Sequence, residues 1–180
     1  MKILHYSDKS NPNFDNLYEQ VDLLLCTGDL TLFDFGSLQL KKNTKPAFGV
    51  YGNHDLGTYL EELEIINLHN NIYQYAGMTW GGWQGCPRYK KGGGPQFSEE
   101  EAVIWSQSFP AVDVLLLHAG PKDMLDDQSD SVHIGSEAIK NYVLTKSPKY
   151  IFCGHQYSDA ELTIGNTTIY RSYGARIVTI

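Results

Sequence analysis

The sequence predicts an α/β protein in which two mixed β-sheets pack face to face, with helices on their outer surfaces. Three observations carry that expectation. Short apolar runs alternate with polar stretches of helical spacing through the first half of the chain, the habit of a layered α/β fold. The end of the chain is instead β-branched and broken by Gly165-Asn166 and Gly174, as in consecutive hairpins. A length of 180 residues with 42% hydrophobic content supports one domain, residues 1–180, with one substantial core.

The elements follow in order. Apolar runs at Lys2–Ser7, Val21–Thr27, Pro46–Tyr51, Val112–Leu117 and Tyr150–Cys153 read as buried strands. Asn16–Gln20 and Tyr59–Ile66 have the spacing of short helices. Ile72–Tyr75 and Met78–Trp80 flank Ala76-Gly77 as a hairpin. Ser98 with Glu101 three residues later is a capping box, so a helix runs to about Ser108. Ser136–Thr145 places Ala138, Ile139, Tyr142 and Val143 on one helical face. Ala160–Ile164, Thr167–Tyr170 and Arg176–Ile180 are the closing strands.

Bulk properties narrow the function. A formal charge of −7 argues against a broad nucleic-acid surface, which needs a basic face. No apolar run reaches membrane-spanning length, and Met1–Tyr6 lacks the apolar core of a signal peptide. Cys26, Cys86 and Cys153 form no CxxC pair, which argues against a disulfide framework and fits a reducing, cytoplasmic setting. Cys26 and Cys153 read as core residues, while Cys86 sits in a Gly/Pro loop and is expected to be exposed.

The chemistry lies where the apolar runs stop. They end at Asp8, at Gly28-Asp29, at Gly52-Asn53-His54-Asp55, at His118 and at Gly154-His155. A strand that ends in a ligand delivers it to one rim of a sheet, so separate strands can converge on a shared cation. Carboxylate, amide and imidazole together suit a borderline divalent ion, Mn²⁺ first, with Fe²⁺ and Zn²⁺ as alternatives. Each piece alone has a bland reading, since Gly-Asp is usually a turn and a lone His after a strand is usually a core residue. Their joint order makes a metal centre the better account.

In these five motifs the chain resembles the calcineurin-like metallophosphoesterase superfamily, whose pattern is D-x-H, G-D, G-N-H-[D/E], H and G-H-x-H. The resemblance covers essentially the whole chain and extends to the Arg88–Glu100 segment of small members without a cap. It implies a four-layer αββα sandwich. It also implies that Asp29 bridges two ions and that Asn53, His118 and His155 complete the second. His54 would assist departure of the leaving group, with Asp55 orienting its imidazole.

Two positions depart from the pattern. Ser10 and Tyr157 stand where the superfamily places histidines on the first ion, leaving that ion only Asp8 and Asp29. One well-bound ion, with the other weak or absent, is therefore expected; ligation by a Tyr157 phenolate is the alternative. His5 lies three residues before Asp8 on one strand and is expected to be a buried, hydrogen-bonded core residue. His69 is expected on a surface loop. His133, in an Asp-rich loop, either contacts substrate or is solvated. Within Trp80–Gly94, Arg88 either grips a phosphate or belongs to a solvated loop.

The functional expectation is a metal-dependent phosphoesterase that hydrolyses a phosphodiester or small phosphomonoester by attack of metal-bound water. Its partner is a small phosphoester or nucleotide-type molecule rather than a membrane or a nucleic-acid polymer. Ser10 and Tyr157 keep a second reading open, a weakly active or inactive scaffold on the same fold.

Overall fold

The computed structural model describes residues 1–180. The strands are β1 (Lys2–Ser7), β2 (Leu23–Cys26), β3 (Ala47–Gly49), β4 (Ile66–Asn67), β5 (Ile72–Tyr75), β6 (Met78–Trp83), β7 (Cys86–Pro87), β8 (Gln96–Phe97), β9 (Val114–Leu117), β10 (Tyr150–Cys153), β11 (Ala160–Ile164), β12 (Thr167–Arg171) and β13 (Gly174–Thr179). The helices are α1 (Phe14–Glu19), α2 (Tyr59–Glu62), α3 (Glu99–Ser108) and α4 (Glu137–Lys146), and a 3₁₀ segment over Leu32–Leu40 is two short pieces joined by a kink at Phe35-Gly36.

Two large sheets result. The first has the order β13-β1-β2-β3-β4, the second β11-β12-β10-β9-β6-β5, and β7 pairs with β8 beside them. Within the first, β1 to β4 run parallel and β13 returns antiparallel. Within the second, β12, β10, β9 and β6 run parallel, with β11 and β5 antiparallel at the edges.

The alternation of side chains along each strand explains the layering. Ile3, Leu23, Leu25 and Phe48 face inward against Trp80, Val114, Leu116 and Phe152 of the second sheet. The alternate residues Leu4, Tyr6, Leu24 and Cys26 face outward, under Phe14 and Tyr18 of α1 and Tyr59 and Leu60 of α2. Leu115, Leu117, Ile151 and Cys153 are covered by Ala102 and Trp105 of α3 and Ile139, Tyr142 and Val143 of α4. The expected αββα sandwich is the observed one.

Local signals account for the two longer helices. Ser98 Oγ accepts from Glu101 N at 3.2 Å while Glu101 Oε2 accepts from Ser98 N at 2.6 Å, the reciprocal cap expected for α3. Ser136 Oγ caps α4 through Ile139 N, and Glu99 reaches across to Ala138 N at the same helix start. The helix expected at Tyr59–Ile66 stops at Glu62, because Glu64 takes a left-handed φ of 55° and β4 begins at Ile66. The 3₁₀ segment is an addition to the expected elements, since no apolar periodicity announces it.

Three expectations for single residues resolve in the core. His5 is fully buried between the sheets, bonded to Thr27 Oγ1 and Ser172 Oγ and set edge-on to Phe152. Cys86 corrects the expectation of exposure, since it is fully buried where β7 pairs with β8. His69 likewise is not a free surface residue. Its ring packs on Trp83 at 4.8 Å and its Nδ1 accepts from Gln84 N.

Candidate metal centre

Parallel strands share a direction, so β1, β2 and β3 deliver their following residues to one rim of the first sheet, and β9 and β10 do the same for the second. Cross-sheet contacts bring the two rims together. His118 Nδ1 lies 2.6 Å from the Thr27 carbonyl, and His155 N donates to Asp8 Oδ2 at 2.9 Å. Asp8, Asp29 and His155 all adopt left-handed backbone, with φ of 63°, 56° and 67°. That conformation is costly outside glycine and persists where surrounding structure imposes it, often at functional sites.

The glycines beside these residues are required by close approach. Gly28, at φ 92°, leaves no room for a Cβ against the backbone of Gly52, and a Cβ on Gly52 would collide with the Asp29 carboxylate. The strand ends can therefore touch only because these positions lack side chains.

The two imidazoles fix the chemistry of the centre. Backbone carbonyls only accept, so His118 donates from Nδ1 to Thr27 O, and His155 donates from Nε2 to Val132 O at 2.8 Å. The opposite nitrogens, His118 Nε2 and His155 Nδ1, then face each other at 3.1 Å as lone-pair donors. Asn53 Oδ1 is 2.9 Å and Asp29 Oδ2 3.5 Å from the same His118 Nε2. Four electron-rich atoms thus converge on one point, which calls for a cation. A proton serves one pair of them; a divalent ion would serve all four.

Electrostatics agree. Burial alone would keep His118 neutral, yet the Asp29 and Asp8 carboxylates carry its pKa up to about 9. Burial also opposes ionisation of Asp29, but His118 outweighs it and draws its pKa down to about 2. Burial and the neighbouring His118 push His155 down to about 3. Burial raises Asp8 to about 6, against the hydrogen bond from Ser7 Oγ at 2.5 Å. Asp29, His118 and His155 place ligand atoms within 4.8 Å of one another. With Asn53 they make a mixed nitrogen and oxygen set that fits Mn²⁺, Fe²⁺ or Zn²⁺.

Asp55 plays a different part from the one expected. Its carboxylate accepts from Asp29 N, Leu30 N and Gly52 N at 2.9, 3.0 and 2.6 Å, and from Tyr59 Oη at 3.0 Å. Every one of these bonds runs to a loop amide or to α2, and none to the His54 imidazole. Asp55 therefore staples the Gly28-Asp29 turn to the Gly52-Asn53 turn. His54 stands exposed beside Asp8 and Asp29 in the same cleft, with its own amide donating to Asp29 Oδ1 at 2.7 Å.

The remaining expected residues divide. His133 lines the cleft, its Nδ1 2.5 Å from Asp130 Oδ2 and its ring 4.9 Å from that of His155. Arg88 does not reach the cleft; its guanidinium pairs with Glu101 at 3.1 Å, at the start of α3. The loop touches the centre through Tyr89 instead, whose hydroxyl accepts from Asn53 Nδ2 at 3.3 Å and leaves Asn53 Oδ1 turned to His118. Nothing in the sequence separated Tyr89 from the other aromatics of that glycine-rich stretch. Ser10 is exposed and lines a separate hollow with Asn11 and Phe33. Tyr157 leaves 74% of its surface exposed and sets its ring against His133 and Tyr173.

Comparisons with known proteins are consistent with this architecture. The structure resembles TT1561 of Thermus thermophilus, at a TM-score of 0.60 and 14% identity over 94% of this chain and 88% of that one. It also resembles a hypothetical protein from Thermus thermophilus, at a TM-score of 0.56 and 12% identity over 97% and 76% of the two chains. A putative 5'-nucleotidase from Staphylococcus aureus, solved in complex with alpha-ketoglutarate, gives a TM-score of 0.55 and 14% identity. That match covers 95% of this chain and 48% of the other, so the chain spans about half the length of that protein. At such identities the likeness concerns the fold alone. No curated protein matches in sequence. The family described as calcineurin-like phosphoesterase matches residues 1–159, a stretch that contains every ligand named above, and the chain belongs to that family.

Proposed function

We propose that this protein is a metal-dependent phosphoesterase with one firmly held divalent ion, Mn²⁺ by preference, acting on a phosphodiester or small phosphomonoester. The observation that supports it most is the His118–His155 pair, whose lone pairs meet at 3.1 Å beside Asn53 Oδ1 and Asp29 Oδ2. A divalent ion held by these four residues supplies Lewis-acid polarisation of a phosphoryl oxygen and lowers the pKa of a bound water.

The chain's own groups supply the rest. In this reading His54, exposed at the cleft, would hand a proton to the departing oxygen. Asp8 adds a second carboxylate to the cleft beside Asp29. Asp55, by stapling the two turns, holds Asp29 and Asn53 in register as a positioning residue. No helix is long and apolar enough to cross a membrane. Three free, buried cysteines suit the reducing, cytoplasmic setting that this reading assigns.

The test is hydrolysis of bis(4-nitrophenyl) phosphate and 4-nitrophenyl phosphate by Mn²⁺-loaded protein. Turnover that His54→Ala reduces by roughly a hundredfold supports the reading. No turnover above the His54→Ala background removes it. A second reading, a binding scaffold on the same fold, is favoured by Ser10, which lines a hollow other than the cleft of Asp8, Asp29 and His155. It predicts tight metal binding without turnover.

A further inference from the structure

His133, Tyr157 and Tyr173 give the cleft an aromatic side. The Tyr157 ring lies 5.0 Å from that of His133 and 5.8 Å from that of Tyr173, with interplanar angles of 65° and 87°. Tyr157 nonetheless keeps 74% of its surface exposed while lining the cleft that holds Asp8, Asp29 and His155. Exposing so much ring surface is unfavourable by the usual cost of apolar area in water.

The wall is held from behind. Asp130 fixes His133 through Nδ1 at 2.5 Å. Asp159 Oδ1 accepts from Tyr173 N at 2.8 Å, and Arg171 holds Ser158 through its carbonyl and hydroxyl at 2.9 and 2.8 Å. Both residues after Tyr157 are thereby anchored, one of them to Tyr173 itself. Lys9 Nζ lies 5.1 Å from the Tyr173 ring centroid, a cation at the edge of a cleft otherwise lined by Asp8 and Asp29. The cleft, of about 290 Å³, has room for a phosphoryl group and one ring system.

We propose that Tyr157, braced by Tyr173, is a stacking platform for a planar leaving group, so that the site selects aryl or nucleobase-bearing phosphoesters over alkyl ones. The proposal rests on the phosphoester reading above for the group held at the ligands, and it assigns Tyr157 to specificity where the family pattern has a metal-ligating histidine. The phosphoryl oxygens lie toward Asp29, His118 and His155, Lys9 offsets their negative charge, and the ring of the leaving group stacks on Tyr157. Aromatic and nucleobase rings share this chemistry, because each presents a π-face to the phenol.

The experiment is calorimetric binding to the Mn²⁺-loaded full chain, which needs no turnover. Phenylphosphonate is compared with methylphosphonate, and uridine and adenosine monophosphates with ribose 5-phosphate. The expected result is roughly tenfold tighter binding of the ring-bearing member. That advantage should be lost in Tyr157→Ala, reduced in Tyr173→Ala and retained in Tyr157→Phe. A preference for the nucleotides but not for phenylphosphonate assigns the platform to a nucleobase; the reverse assigns it to an aryl ring.

Equal affinities within both pairs, no binding of any probe, or a preference that survives Tyr157→Ala overturns the platform. Tyr157 is exposed, so its replacement leaves the core intact, and unchanged Mn²⁺ affinity in the variant confirms that the centre persists. Failure of hydrolysis with the ring preference intact would remove the enzyme reading and leave the platform. Hydrolysis without ring preference would do the opposite.

Discussion

His118 Nε2 and His155 Nδ1 face each other at 3.1 Å, each ring having committed its far nitrogen to a backbone carbonyl of a different loop. Carbonyls behind metal-binding imidazoles fix the tautomer and the ring angle. Without metal the site must bind a proton, and His118, raised to about 9, carries it. A divalent ion competes for that position. Mn²⁺ binding at about pH 7.5 is therefore expected to release close to one proton per ion, with a stoichiometry of one. Affinity should rise about tenfold per pH unit below the His118 pKa. Calorimetry in buffers of different ionisation enthalpy checks this, and a heat independent of buffer would contradict it.

Tyr89 is expected to act on the metal through Asn53. Its hydroxyl takes the Asn53 amide proton and so keeps Oδ1 toward His118. Tyr89→Phe should weaken Mn²⁺ binding by roughly ten- to a hundredfold, with thermal stability little changed. Unaltered affinity would show that Asn53 is oriented without it.

Asp55→Ala should damage both stability and the centre. Three loop amides and the Tyr59 hydroxyl would lose their acceptor in a buried position. Unpaired buried donors cost about 1–3 kcal/mol each, so a loss of at least about 3 kcal/mol in urea unfolding is expected. Mn²⁺ affinity should fall with it, because Asp29 and Asn53 lose their common anchor. Were Asp55 acting only on the His54 imidazole, stability and metal binding would both stay at wild-type values.

His5 supplies a pH dependence of folding. Burial, with Arg176 nearby, holds its pKa down to about 3 against an ordinary value of 6.5. Between these values the unfolded chain binds a proton that the native state refuses, so stability rises with pH across the window and is lost as pH falls from 6.5 toward 3. From about pH 7 to about 4.5 the contribution is on the order of 2–3 kcal/mol. His5→Gln removes the titrating group, and its urea-derived stability should change less than that of wild type over this interval. Parallel profiles for the two proteins would place the acid sensitivity elsewhere.

The layered fold and the polar residues that gather at its strand ends were both legible in the chain, for related reasons. A strand buried on both faces must be a short apolar run, and the polar residue that ends it is next to it in sequence, so Asp8, Asp29, Asn53, His118 and His155 each carried a local signature. The capping box of α3 was equally local. The roles of Asp55, Arg88 and Tyr89 were not legible. Asp55 is satisfied by amides 25 and 26 residues away, Arg88 by Glu101 on α3, and Tyr89 by an amide 36 residues away. Cys86 looked exposed because its neighbours are turn formers, and the β7–β8 pairing that buries it is made with Gln96, beyond the glycine-rich loop. Which side chains reach the rim was written in the chain, because strand ends follow local apolar pattern. Where their lone pairs and rings point was settled by packing, because the hydrogen bonds that turn each side chain come from loops brought near only when the two sheets meet.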